Sequence, residues 1–160
     1  MRFEAIIGHE EIGSKLRTGV QNRRVAHAQL FNGPEGSGAL ALALAYARYL
    51  HCQDPSEADS CGSCTSCKQY ETLQHPDLHW SFPFFKKDSS EQSTTQPFQN
   101  AWRERVLEDP YFGLEEWLGA IGADKKQLFI SVQEALELNR KLGLKSFQGG
   151  WKVLILWLPE

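Results

Sequence analysis

Apolar residues recur with helical spacing early in the chain. Ile12, Leu16 and Val20 stand at i, i+4 and i+8, which predicts an amphipathic helix over residues 9–22. An extended lead-in over residues 1–7 and Gly8 precede it. Residues 28–32 (Ala-Gln-Leu-Phe-Asn) are short and mostly apolar and predict a strand. Residues 40–50 are rich in Ala and Leu and apolar nearly all round. That pattern predicts a helix from about 37 to 50, buried against a sheet. A second strand is predicted over 78–82 and ended by Pro83. Residues 86–98 are rich in Ser, Thr, Gln and charge, and the larger stretch 83–126 reads as a flexible insertion. Within it, 100–107 and 113–119 predict short helices separated by Asp109-Pro110, the second docked by Leu114, Trp117 and Leu118. Residues 127–130 read as extended. Ser131-x-x-Glu134 is a capping box, opening a helix that carries Val132, Ala135, Leu136, Leu138 and Leu142 and ends at Gly143. After a turn at 148–150, residues 151–158 are apolar except for Lys152, as in a buried parallel strand. These elements predict a three-layer α/β fold with a mostly parallel sheet. Strands at 29–32 and 153–157 should be central to it.

Composition narrows the class. A chain of 160 residues is one domain of ordinary size. With 41% hydrophobic residues, five Trp and nine Phe, it can build a full core. The net charge of −3 argues against a strongly basic nucleic-acid-binding surface. No apolar run reaches the length of a membrane span, and the N-terminus has no signal-peptide core. The chain therefore reads as cytoplasmic. In that setting four cysteines favour metal or redox chemistry over disulfides.

Between the predicted strand 28–32 and the apolar helix lies Gly33-Pro34-Glu35-Gly36-Ser37-Gly38-Ala39-Leu40. The glycine spacing is that of a phosphate-binding loop, G-x-x-x-x-G, but Ala39-Leu40 replaces the following K-[ST]. A working loop cradles phosphates with backbone N–H groups, reaches the outer phosphates with Lys and holds Mg²⁺ with the hydroxyl. Here the backbone part is kept and both side-chain parts are gone. The strand–loop–helix context favours a degenerate nucleotide loop over a bare glycine-rich turn.

The cysteines follow as Cys52-x8-Cys61-x2-Cys64-x2-Cys67, with Gly62 in the first close pair. Two intervening residues let the chain turn while both thiolates face one ion. Four thiolates complete the tetrahedron of a structural Zn²⁺ site and leave no position for substrate. A redox C-x-x-C would need two cysteines and leave two surplus; four free buried thiols is the plainest alternative. The nearby His51, His75 and His79 read as surface or packing residues. No catalytic pattern stands out in 86–126.

These features occur in one order: Ile6-Ile7-Gly8-His9, His27-Ala28, the Gly33-Pro34-x-Gly36-x-Gly38 loop, the four-cysteine knuckle at about 52–67, and His75-Pro76-Asp77. In that order the chain resembles the bacterial clamp-loader subunits, AAA+ proteins of the DNA polymerase III holoenzyme. The resemblance covers residues 1–80 well and 129–160 moderately. It implies a P-loop NTPase-like domain over 1–160 with the zinc knuckle inserted after the loop helix. In active members Asp-Glu follows the strand at 153–156, holding Mg²⁺ and orienting water; here those positions are Trp157 and Leu158. The Lys, hydroxyl, metal carboxylate and base positions are thus Ala39, Leu40, Trp157 and Leu158, all without the required chemistry. No Lys or Arg lies between Arg24 and Arg48 to compensate.

The chain is therefore most similar to the delta-prime type, with the gamma/tau type as nearest relative. The resemblance implies a non-hydrolysing subunit, without ATP or Mg²⁺ as cofactors. Such a subunit helps load the sliding clamp onto primed DNA alongside gamma/tau-type and delta-type subunits. The lid, collar and arginine finger are expected beyond residue 160. Alternatives are an ATP-binding gamma/tau-type ATPase, against which the missing groups argue, and a zinc-dependent nucleic-acid-binding module, for which no basic stripe is present. A zinc deaminase would pair H-x-E with P-C-x-x-C; the one H-x-E, His9-Glu10-Glu11, is distant from the cysteines, and no P-C-x-x-C occurs.

Overall fold

Local pattern becomes local structure nearly throughout. The computed structural model describes residues 1–86, 93–123, 125–148 and 150–159. The chain divides into two units, Met1–His75 and Pro76–Glu160.

The first unit holds α1 (Glu10–Gln21), α2 (Ala39–His51) and α3 (Thr65–Glu71). As its composition predicts, α2 is almost wholly buried, from Leu40 to Tyr49. Leu42, Ala45, Tyr46 and Tyr49 pack with Phe3, and Leu16 and Val20 of α1 lie against this cluster. Ile12, expected on the same face, is 45% exposed. Gly13 is where α1 comes closest: a Cβ there would stand 3.2 Å from the Phe3 ring.

The expected strand at 28–32 is not formed. A parallel strand has no partner supplied by its own turn and must find its ladder through a long connection. Residues 28–32 are held by side chains instead. The Gln29 amide donates to the Tyr46 hydroxyl at 2.9 Å, Phe31 packs on the Tyr46 ring, and Leu30 is left 87% exposed.

The second unit runs β1 (Leu78–Ser81), α4 (Gln99–Glu108), α5 (Leu114–Ile121), α6 (Val132–Gly143) and β2 (Val153–Leu156). Among the described residues the sheet is these two strands, parallel, with Leu78 opposite Val153 and Ser81 opposite Leu156. The class is α/β, with a sheet much smaller than expected. Asp77, just before β1 and almost fully buried, fixes the approach to β2. Its carboxylate accepts from the Phe147 backbone N–H at 2.8 Å and from that of Gln148 at 3.1 Å.

The stretch read as a flexible insertion supplies much of this unit's core. Phe84, Phe85, Phe98, Trp102, Val106, Phe112 and Trp117 are all buried. Phe82 stacks on Trp102 with ring centres 4.3 Å apart, and Trp117 meets Trp102 edge-on at 5.2 Å. Trp117 Nε1 donates to the Pro83 carbonyl at 2.7 Å. Its polar composition hid these rings. Residues 87–92 and 124 of the stretch lie outside those described. The capping box forms by half. Ser131 Oγ accepts from the Glu134 N–H at 2.9 Å, but the buried Glu134 carboxylate turns away. It accepts from the Thr95 N–H at 2.9 Å and the Thr95 hydroxyl at 2.7 Å.

Candidate metal centre and degenerate phosphate loop

Cys52 ends α2, Cys61 and Cys64 flank a turn, and Cys67 lies in the first turn of α3. Gly62 makes the turn at φ +77, a left-handed conformation that disfavours other residues. Cys64 is the N-cap of α3, and its sulfur accepts from the Cys67 N–H at 3.4 Å. The Cys61 sulfur likewise accepts from Cys64 N–H at 3.4 Å, and the Cys52 sulfur from Cys61 N–H at 3.2 Å. Backbone donors aimed at sulfur stabilise thiolates.

The four sulfurs lie within 4.8 Å of one another, and those of Cys61 and Cys67 are 4.0 Å apart. A tetrahedral Zn²⁺ with Zn–S of about 2.3 Å needs sulfurs roughly 3.8 Å apart. The donor set and its spacing fit such an ion. Burial pushes the Cys52 thiol up to about 12. The Cys64 and Ser63 backbone N–H groups draw Cys61 down to about 6. Burial also raises Cys67, against the nearby Arg48 guanidinium, whose charge pulls the other way.

Two of the three histidines pair with each other. His51 stacks on His75 with ring centres 4.2 Å apart and meets the Tyr70 hydroxyl through Nδ1 at 2.6 Å. His79 lies in β1.

Gly36 and Gly38 have φ of +75 and +87. A Cβ on Gly33 would stand 2.5 Å from Ser37 Oγ, so a side chain here would displace the Ser37 hydroxyl. The Ser37 N–H donates to the Pro34 carbonyl at 3.0 Å, and the Ser37 carbonyl meets His9 Nε2 at 2.6 Å. Gly38 caps α2 without a side-chain bond. Ala39, expected at the Lys position, is half-buried, and Leu40, expected at the hydroxyl position, is 7% exposed within α2's buried set.

In the second unit Trp157 follows β2. Its ring lies 5.3 Å from that of Trp102 and 5.0 Å from that of Phe112. Leu158, at φ +46, carries no ionisable group. Both hydrophobic replacements are therefore built into packing: Leu40 in the first unit, Trp157 in the second. Sequence reasoning passed over Arg48, although it is the one Lys or Arg in an otherwise apolar helix, and that isolation was the available signal. It also passed over Asp77 as an anchor for the loop before β2.

Residues 8–160 match the family described as DNA polymerase III, delta subunit. Among similar proteins is the DNA polymerase III subunit delta' of Bacillus subtilis, 41% identical over 64 residues, 40% of this chain and 19% of that protein. The subunit tau of the same organism is 33% identical over 67 residues, 42% of this chain and 12% of that protein. The subunit tau/gamma of Haemophilus influenzae is 36% identical over 76 residues, 48% of this chain and 11% of that protein. The matched stretches thus span a fifth or less of these relatives. Family and relatives agree with the resemblance carried by the loop, the knuckle and His75-Pro76-Asp77.

Proposed function

The chain belongs to the family described as DNA polymerase III, delta subunit, and we propose that it forms the nucleotide-loop part of a delta-prime-type clamp-loader subunit. In this reading it serves DNA replication by presenting surfaces to gamma/tau-type and delta-type subunits. It meets the sliding clamp and primed DNA through that assembly, in the cytoplasm. It binds no catalytic Mg²⁺–ATP. The domain is AAA+-like, and its lid and collar lie outside these residues. The relatives carry both delta' and tau names, so their names do not choose between the two types.

The observation that carries the choice is packing. Leu40 stands buried where an active loop needs a hydroxyl for Mg²⁺. Trp157 stacks among Trp102 and Phe112 where it needs a carboxylate. The Gly36–Leu40 backbone can still attract an anion at a helix N-terminus, but phosphoryl transfer needs the metal and the positioned water. Cys52, Cys61, Cys64 and Cys67 hold a structural Zn²⁺ that ties α2, the turn and α3 together. With four protein ligands it has no open position and takes no part in chemistry.

Clamp loading tests this. Gamma/tau-type and delta-type subunits are mixed with labelled clamp and primed DNA, with and without the full-length protein carrying this chain. ATP-dependent loading should require that protein and survive disruption of any nucleotide binding in it. Equal loading with the protein present or absent sinks the assignment. If this chain is instead of the gamma/tau type, the protein hydrolyses ATP when purified alone.

A further inference from the structure

Arg48 is the charged residue in the apolar run of α2, and its side chain is only 4% exposed. A buried guanidinium is costly unless negative charge is held against it. One carboxylate approaches: Glu71 Oε1 of α3 lies 3.3 Å from Arg48 Nη2. Glu71 is 57% exposed, however, and water screens such a group. Nε has no hydrogen-bond partner among the described residues. Sulfur is a further neighbour. The guanidinium lies close enough to the Cys67 thiol to favour its thiolate, and the Cys67 side chain is fully buried. Nη2 also lies 3.9 Å from where a Cβ on Gly62 would stand, so the guanidinium reaches the turn that carries Cys61 and Cys64. Arg2 also lies near this turn but is engaged elsewhere, by Glu4 and by Asp59 at 3.8 Å.

Four thiolates around one Zn²⁺ leave a dianion. A half-buried dianion and a buried cation, each costly alone, offset one another when adjacent. We propose that Arg48 is a positioning residue of the metal centre: its guanidinium neutralises the zinc–thiolate cluster and orients Cys67 toward the ion. The inference rests on the structural-zinc reading above. It gives Arg48 a purpose that the exposed Glu71 does not supply. The planar fork also holds a sulfur in a fixed direction, which the single ammonium of lysine does less well.

The test is zinc affinity, measured by competition with a chromogenic chelator. It uses the 160-residue chain and its Arg48→Met, Arg48→Lys and Glu71→Gln variants, with helix content followed by circular dichroism. The parent chain should hold one zinc. Arg48→Met should weaken zinc binding about ten- to a hundredfold, the range for residues that orient metal ligands. Arg48→Lys should lose less. Glu71→Gln should stay within about twofold of the parent, as expected of an exposed pair. In the cobalt-substituted protein the thiolate-to-metal absorption should shift in Arg48→Met and not in Glu71→Gln.

Parent-like affinity in a folded Arg48→Met overturns the proposal. So does a Glu71→Gln loss equal to that of Arg48→Met, because Arg48 would then serve only the ion pair with α3. Should Arg48→Met fail to fold, Glu71→Gln against Arg48→Lys decides: equal losses overturn the proposal, and a loss in Arg48→Lys alone supports it. A parent chain that holds no zinc refutes the metal reading itself, and this inference with it, whatever the variants do.

Discussion

Cys61 differs from Cys52 and Cys67 in the direction its surroundings move its thiol. Backbone N–H groups of Cys64 and Ser63 draw it down to about 6, while burial pushes Cys52 up to about 12. The sign follows directly. In metal-free protein at pH 7 Cys61 is mostly thiolate and Cys52 is thiol, and only the thiolate attacks an alkylating agent. With zinc stripped under reducing conditions, iodoacetamide should label Cys61 first. That labelling should slow as pH falls below about 6, where the thiolate takes up its proton. Peptide mass mapping over a time course reads the order. Labelling of Cys52 ahead of Cys61 would show that the backbone donors do not act as described. Zinc should suppress labelling at all four positions, and zinc binding should release protons from the thiols that burial keeps protonated.

At the scale of elements, Trp102 of α4 holds the second unit together. It touches Trp80, Phe82, Phe112, Trp117 and Trp157 and is fully buried. Trp102→Ala should cost about 3–5 kcal/mol, read from the urea midpoint of the unfolding transition that quenches with these tryptophans. A loss below about 1 kcal/mol would mean that the aromatic cluster is not a core. The sequence foretold α4 and α5 within a residue or two, because helical periodicity is local. It foretold β1 and β2 as short apolar runs, though not that they pair with each other. It did not foretell that Phe84, Phe85 and Phe98 turn inward, because the Ser, Thr and Gln around them look like solvent-facing chain. Nor did it foretell that Glu134 would serve Thr95, 39 residues away, in place of its own helix cap. Residues 28–32 failed as a strand because propensity proposes a strand and only a partner makes one. The cysteine cluster was legible in full, since its spacing alone brings the ligands round one point. Arg48 was not read as part of it, since nothing in spacing links a helix residue to a knuckle beyond its end.

For the whole molecule, the positions proposed for the Mg²⁺ hydroxyl and the metal carboxylate lie in separate units, and each carries a packed apolar side chain. Leu40 belongs to the buried set of α2; Trp157 belongs with Trp102 and Phe112. Restoring either position by itself would therefore leave the other set of groups missing. The net charge of −3 is the opposite of the strongly basic balance that favours DNA binding. Family membership places the chain among DNA polymerase III delta subunits; the proposed function makes it a member without nucleotide chemistry. The direct measurement is calorimetric titration of the zinc-loaded chain with ATP and Mg²⁺, followed by assay of released phosphate. The account predicts no Mg²⁺-dependent binding in the micromolar range and no turnover above the buffer rate, with at most a weak, salt-sensitive heat from anion contact at the loop. Micromolar, Mg²⁺-dependent binding accompanied by phosphate release would contradict it.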